Sequence, residues 1–100
     1  MIQNKPEARD AICQAIAATL QRSGRELPQF SDQDKPVKNY DGFDSQCGIE
    51  VTVELEERLG VGDLGSNIFV EQVGKAVHAR SLAEIVDVVL AKAKTAKGGA

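Results

Sequence analysis

One hundred residues carrying a net charge of −3 are enough for one domain with one modest core. No apolar run approaches the roughly 18 residues of a membrane span, and the acidic balance argues against nucleic acid as a partner. With no Trp, one Tyr and three Phe, the core must come from Ala, Val, Leu and Ile, which suits close helix contacts.

The N-terminal residues Met1 to Glu7 are polar and lack the apolar stretch of a signal peptide. The first element is a helix. Asn4 can cap it, Glu7 stands three residues later as in a capping box, and Pro6 is tolerated in a first turn. Ala8, Ile12, Ala15, Ile16, Thr19 and Leu20 follow helical spacing. Gly24 closes the helix, with Arg22 and Arg25 near the negative end of its dipole. Residues 24–44 then form a long polar connection containing Pro28 and Pro36. A loop of this length is unusual in a compact domain and is often functional. Leu27, Phe30, Val37 and Tyr40 are its expected pins.

The segment from Asp44 to Gly60 supports two readings. Ile49, Val51, Val53 and Leu55 alternate with polar residues, a strand pattern made of strand-favouring side chains. At about 100° per residue, however, Glu50, Glu54 and Glu57 form one stripe, opposite an arc of Ile49, Val51, Val53, Leu55 and Leu59. Pattern alone slightly favours strand; the length and the Asp44-Ser45 start favour helix. Ile68 to Ala79 reads as a shorter helix with Ile68, Phe69, Val73 and Val77 apolar and Ser66 or Asn67 as cap. Ser81-Leu82-Ala83-Glu84 is a capping box opening a last helix, with Leu82, Ile85, Val86, Val89 and Leu90 on its buried side. Residues 93–100 read as a flexible tail, leaving 1–92 as the domain, and Lys92, Lys94 and Lys97 are expected to be solvated rather than a nucleic-acid patch.

Charge is unevenly spread. Residues 1–40 carry six Lys/Arg against five Asp/Glu, and residues 72–100 carry five against two. Residues 41–71 carry one Lys/Arg, Arg58, against eight Asp/Glu, a net of −7. Such a field steers basic protein partners toward this segment. Cys13 and Cys47 form neither a disulfide framework nor a zinc pattern and are expected to be reduced thiols of a cytoplasmic protein. Cys47 near a helix start is either a reactive thiol or a small buried residue, the second being the commoner case. His78, the single histidine, is expected at the surface near a helix end. No metal-ligand cluster or nucleophile–base pair is visible, so no enzyme is expected.

Within the acidic segment lies Gly42-Phe43-Asp44-Ser45, followed in register by Ile49, Glu50, Val51, Leu55 and Glu56, with Gly60 at the end. Asn67-Ile68-Phe69 and Arg80-Ser81-Leu82-Ala83-Glu84-Ile85 come after it. This order of motifs, over about residues 5–92, resembles the acyl carrier protein family, in which the serine of a Gly-x-Asp-Ser motif carries 4′-phosphopantetheine. The resemblance implies an all-α fold, an acyl-carrier-like bundle of three main helices plus a shorter one with a long loop after helix one, and it turns residues 44–60 toward helix. It implies that Ser45 receives the arm covalently from coenzyme A, that Asp44 serves recognition by a phosphopantetheinyl transferase, and that Glu50, Glu54 and Glu57 meet basic surfaces of acyl-transferring enzymes. The protein would be a monomeric, non-enzymatic carrier of an acyl or aminoacyl thioester in lipid, polyketide or related biosynthesis. Ile49, Val53, Leu55, Phe69 and Val73 are candidates to shelter the acyl chain. Gln46 stands where the family has an apolar residue, Asp41 precedes the glycine where an apolar residue is usual, and Cys47-Gly48 is an unusual helix start. These departures point to a specialised carrier, or to a carrier-fold interaction module that is not modified.

Overall fold

The computed structural model describes residues 4–60, 64–65 and 67–98, with side chains through Ala93. Helix α1 spans Lys5–Arg22. The Asn4 side chain accepts the Glu7 N–H at 3.0 Å and donates to the Glu7 carboxylate at 2.9 Å, so both ends of the expected capping pair are used. At its other end the Arg25 N–H reaches Leu20 O and the Gly24 N–H reaches Gln21 O, with Gly24 at φ 73°. This is a Schellman closure, which satisfies two otherwise orphaned carbonyls.

The connection after α1 is tied down at several points and holds one short helix, α2 (Pro36–Asn39). Arg9 of α1 holds it from below, bonding Asp32 at 2.7 Å and Phe30 O at 3.0 Å. Tyr40 is buried, packs edge-on against Phe30 at 5.6 Å and donates its hydroxyl to Asp34 at 2.8 Å. Burial and the Asp34 bond both push the Tyr40 phenol far above its ordinary range. Asp34 O and Asp32 O accept the N–H groups of Leu82 and Ala83, so the loop bridges α1 to the start of the last helix. Of the four expected pins, Phe30, Val37 and Tyr40 pack against the core, whereas Leu27 is 47% exposed and lies outside it.

The ambiguous segment is a helix, α3 (Ser45–Leu59), capped by Asp44 and ended by Gly60 in the left-handed region at φ 62°. Val51 and Leu55 face the core one turn apart, while Ile49 and Val53 lie outside at 40% and 48% exposure. The alternation that mimics a strand is thus two helical stripes, one buried and one wet. Thr52 is buried on this helix; its hydroxyl donates to Gly48 O at 2.7 Å and accepts the Ile68 N–H at 3.1 Å. Asn67 lies over Gly48, donating to Ser45 O and accepting the Phe69 N–H. A Cβ at position 48 would stand 2.7 Å from the Asn67 side chain, which explains the glycine within the first turns of α3.

Residues 68–79 are not a helix. They form an antiparallel hairpin, β1 (Val70–Val73) and β2 (Ala76–Ala79), pairing Val70 with Ala79 and Val73 with Ala76. The two-residue turn is Gly74-Lys75, and Gly74 has φ 60°. A glycine at the first central position suits the hairpin turn whose twist matches the strands. Ile68 and Phe69 are buried ahead of β1, whereas Val73 and Val77 are exposed on the strands. The fold is therefore helix-dominated but not all-α, a correction to the expected bundle with a shorter third helix.

Helix α4 (Leu82–Gly98) begins with the expected box: Ser81 N–H donates to Glu84 at 2.8 Å and Glu84 N–H to the Ser81 hydroxyl at 3.3 Å. Its helical backbone runs past residue 92 to Gly98. Leu82, Ile85, Val86 and Val89 are buried as expected, and Leu90 partly so. Helix α1 packs against both α3 and α4, and Phe43 and Phe69 meet edge-on at 5.1 Å, joining the loop before α3 to the turn before β1. Among the described residues no helix is long and apolar enough to cross a membrane.

Candidate functional site

Ser45 is the first residue of α3 and is exposed; its hydroxyl makes no hydrogen bond among the described residues. What holds it there is the capping of the helix. Asp44 has extended backbone, and its carboxylate accepts the Cys47 N–H at 3.0 Å. That bond holds the Asp44 carboxyl below its ordinary 3.8. A carboxyl whose folded-state value is depressed stabilises the fold above its ordinary value, and loses that contribution as pH falls through the depressed one. We therefore expect Asp44→Ala to lower the denaturation midpoint at pH 7, with the gap to the wild type narrowing below pH 3.8. Denaturant titrations across that range measure it.

The residues before Asp44 are fixed from both sides. Phe43 is buried against Phe69. Gly42 has φ 81°, and a Cβ there would stand 2.6 Å from Arg25 Nε, so the arginine stem lies across this glycine. The Arg25 guanidinium pairs with Asp41 at 3.2 Å. Beside them is a depression of about 500 Å³ whose lining includes Arg25, Lys38, Tyr40, Asp41, Phe43 and Asp44. The sequence places Arg25 only as a dipole partner of α1; its approach to Gly42 depends on the course of the intervening loop.

Cys47 is half-buried, with Sγ 3.5 Å from Gly42 O, and burial pushes its thiol up rather than down. The smaller role, a packed residue, is what the structure supports. Burial likewise pushes up the thiol of Cys13. Gln46 is exposed beside Ser45.

The acidic stripe divides. Glu50 and Glu57 are exposed, whereas the Glu54 side chain is only 27% exposed and lies 3.9 Å from Arg22 and 3.5 Å from Arg58. Glu56 is occupied by the Leu64 N–H at 2.7 Å. The candidate acyl-lining residues are not brought together: Leu55 and Phe69 are packed in the core, and Ile49, Val53 and Val73 are at the surface. Ile49 and Val53 lie on the outer stripe of α3, and Val73 is on the hairpin that replaces a third helix. His78 sits on β2 opposite Glu71, on a strand rather than near a helix end. Among the described residues no group of three His, Cys, Asp or Glu could hold a metal ion. Comparison with family models, with curated proteins and with solved structures finds no match to this chain.

Proposed function

We propose that this protein is an acyl carrier, presenting a thioester-bound acyl or aminoacyl group on a 4′-phosphopantetheine arm attached to Ser45. The observation that carries the reading is the exposed Ser45 hydroxyl, unbonded among the described residues, at the first position of a helix that Asp44 caps. A phosphate placed there meets free N–H groups and the positive end of the helix dipole. In the modification the Ser45 Oγ–P bond forms as the pyrophosphate bond of coenzyme A breaks. Adenosine 3′,5′-bisphosphate leaves, and the hydroxyl proton passes to a base. Nothing adjacent activates Ser45, so the transferase supplies that base and the Mg²⁺, with Asp44 as a recognition or metal-holding group.

Partner enzymes would dock on the outer face of α3. Glu50 and Glu57 offer exposed charge, and Ile49 and Val53 offer exposed aliphatic area beside it. Such charge speeds encounter more than it tightens the complex, which suits a carrier that must release. Glu54, engaged with Arg22 and Arg58, contributes less than the other two. Two free thiols fit a reducing, cytoplasmic setting.

Incubation with coenzyme A, Mg²⁺ and a broad-specificity phosphopantetheinyl transferase should add one phosphopantetheine to the wild type and none to Ser45→Ala, read by intact mass. An equal gain on both proteins overturns the assignment of Ser45. The exposed Gln46 and the Asp41–Arg25 pair favour a second reading, an unmodified module that binds a basic partner. No gain with several transferases, together with a partner complex indifferent to Ser45→Ala, would select it.

A further inference from the structure

Beyond the N–H groups and dipole of α3, the side-chain charge around a phosphate on Ser45 is unfavourable. The segment 41–71 holds eight carboxylates and one cation, Arg58, which lies near the far end of α3 beside Glu54. Counter-charge must come from outside the segment. The depression that reaches Asp44 has two cations in its lining, Arg25 from just beyond α1 and Lys38 from α2. Lys38 has no ion-pair or hydrogen-bond partner for its ammonium among the described residues. Arg25 is held toward this place because Gly42 has no side chain: its stem occupies the space a Cβ would take. Its present partner, Asp41, is 92% exposed, and a surface pair of this kind is weak. A phosphodiester offers the planar guanidinium fork a second charge-assisted partner, and so weak a surface pair leaves Arg25 able to exchange Asp41 for it.

We infer that the phosphodiester of the Ser45-linked arm docks on Arg25 in this depression, with Lys38 as a second cation, so that the arm leaves the protein along the surface over Tyr40 and Phe43. The inference rests on the carrier reading and deepens it. Gly42 then has a role beyond its turn, which is to let the arginine approach. Asp41 acts as the competitor that keeps Arg25 near the site until the arm arrives.

The test uses the modified protein, its loading checked by intact mass and its fold by circular dichroism. The ³¹P resonance and the contacts of the pantoyl methyl groups are then compared for wild type, Arg25→Gln, Lys38→Gln and Asp41→Asn. In the wild type the pantoyl methyls should show nuclear Overhauser effects to the Tyr40 ring. Arg25→Gln should lose them and move the ³¹P resonance toward that of the same serine phosphodiester in the urea-unfolded protein. Lys38→Gln should do so in smaller measure, and Asp41→Asn should shift the resonance the opposite way. Identical ³¹P resonances in all four, with no pantoyl contacts, would overturn the docking while leaving the carrier reading intact. Absence of the mass gain would remove both.

Discussion

Phe69→Ala should lower the unfolding free energy by about 3–5 kcal/mol, the range for truncating a fully buried aromatic ring. Phe69 is 0% exposed, and its ring meets Phe43 edge-on. Its loss removes the core area of one ring and the edge contact of the other. The backbone at the same residue accepts the Arg80 N–H and donates to Asn67, so Phe69 sits at the root of the hairpin and beside the strap over α3. Chemical denaturation of the variant measures the loss. Because Phe43 is two residues from Ser45, the proposed carrier reading adds that the variant should be modified less completely in a fixed time, even below its melting temperature.

Thr52→Val should cost about 1–3 kcal/mol despite its unchanged shape, because it strands a buried donor. The Thr52 hydroxyl is the acceptor for the Ile68 N–H, and Ile68 is 1% exposed. No water can replace that acceptor without opening the contact between α3 and the segment before β1. Thr52→Ser keeps the oxygen and drops one methyl, so it should cost less than Thr52→Val; the reverse order, measured by denaturation, would show that packing rather than the hydroxyl holds this junction.

The helix ends were legible because their signals are local. Asn4 with Glu7, Gly24, Asp44, Gly60 and Ser81 with Glu84 each act within a few residues, and the structure uses every one. The sequence alone left α3 undecided because four aliphatic side chains alternate. Only the pairing of Val51 and Leu55 with α1 determines which of them are buried. The hairpin is hidden in the sequence for a related reason. Ile68, Phe69, Val73 and Val77 look like one apolar set, but the first two belong to the core and the last two to a wet ribbon. Gly74-Lys75, between runs containing Val70, Val73 and Val77, was the available clue.

At the site, the Asp44 cap and the helix start at Ser45 could be read from the chain because cap and first helical residue are neighbours. The division among the three glutamates could not. Glu54 pairs with Arg58 four residues on and also with Arg22, which is 32 residues earlier and comes within reach only after α1 and α3 pack. Arg25 at Gly42 is of the same kind, a contact made by the path of the 24–44 connection.

The hairpin has a consequence for how the molecule comes apart. Residues 71–78 are all exposed, on both faces of the ribbon, so its strand bonds face water and have little apolar area behind them. Segments built this way open by themselves, at a free energy well below that of whole-molecule unfolding. The amide protons of β1 and β2 should therefore exchange with solvent while those in the middle of α1, α3 and α4 remain protected. The molecule is then two cooperative units of unequal strength: a three-helix body, and a ribbon that loosens without disturbing Ser45.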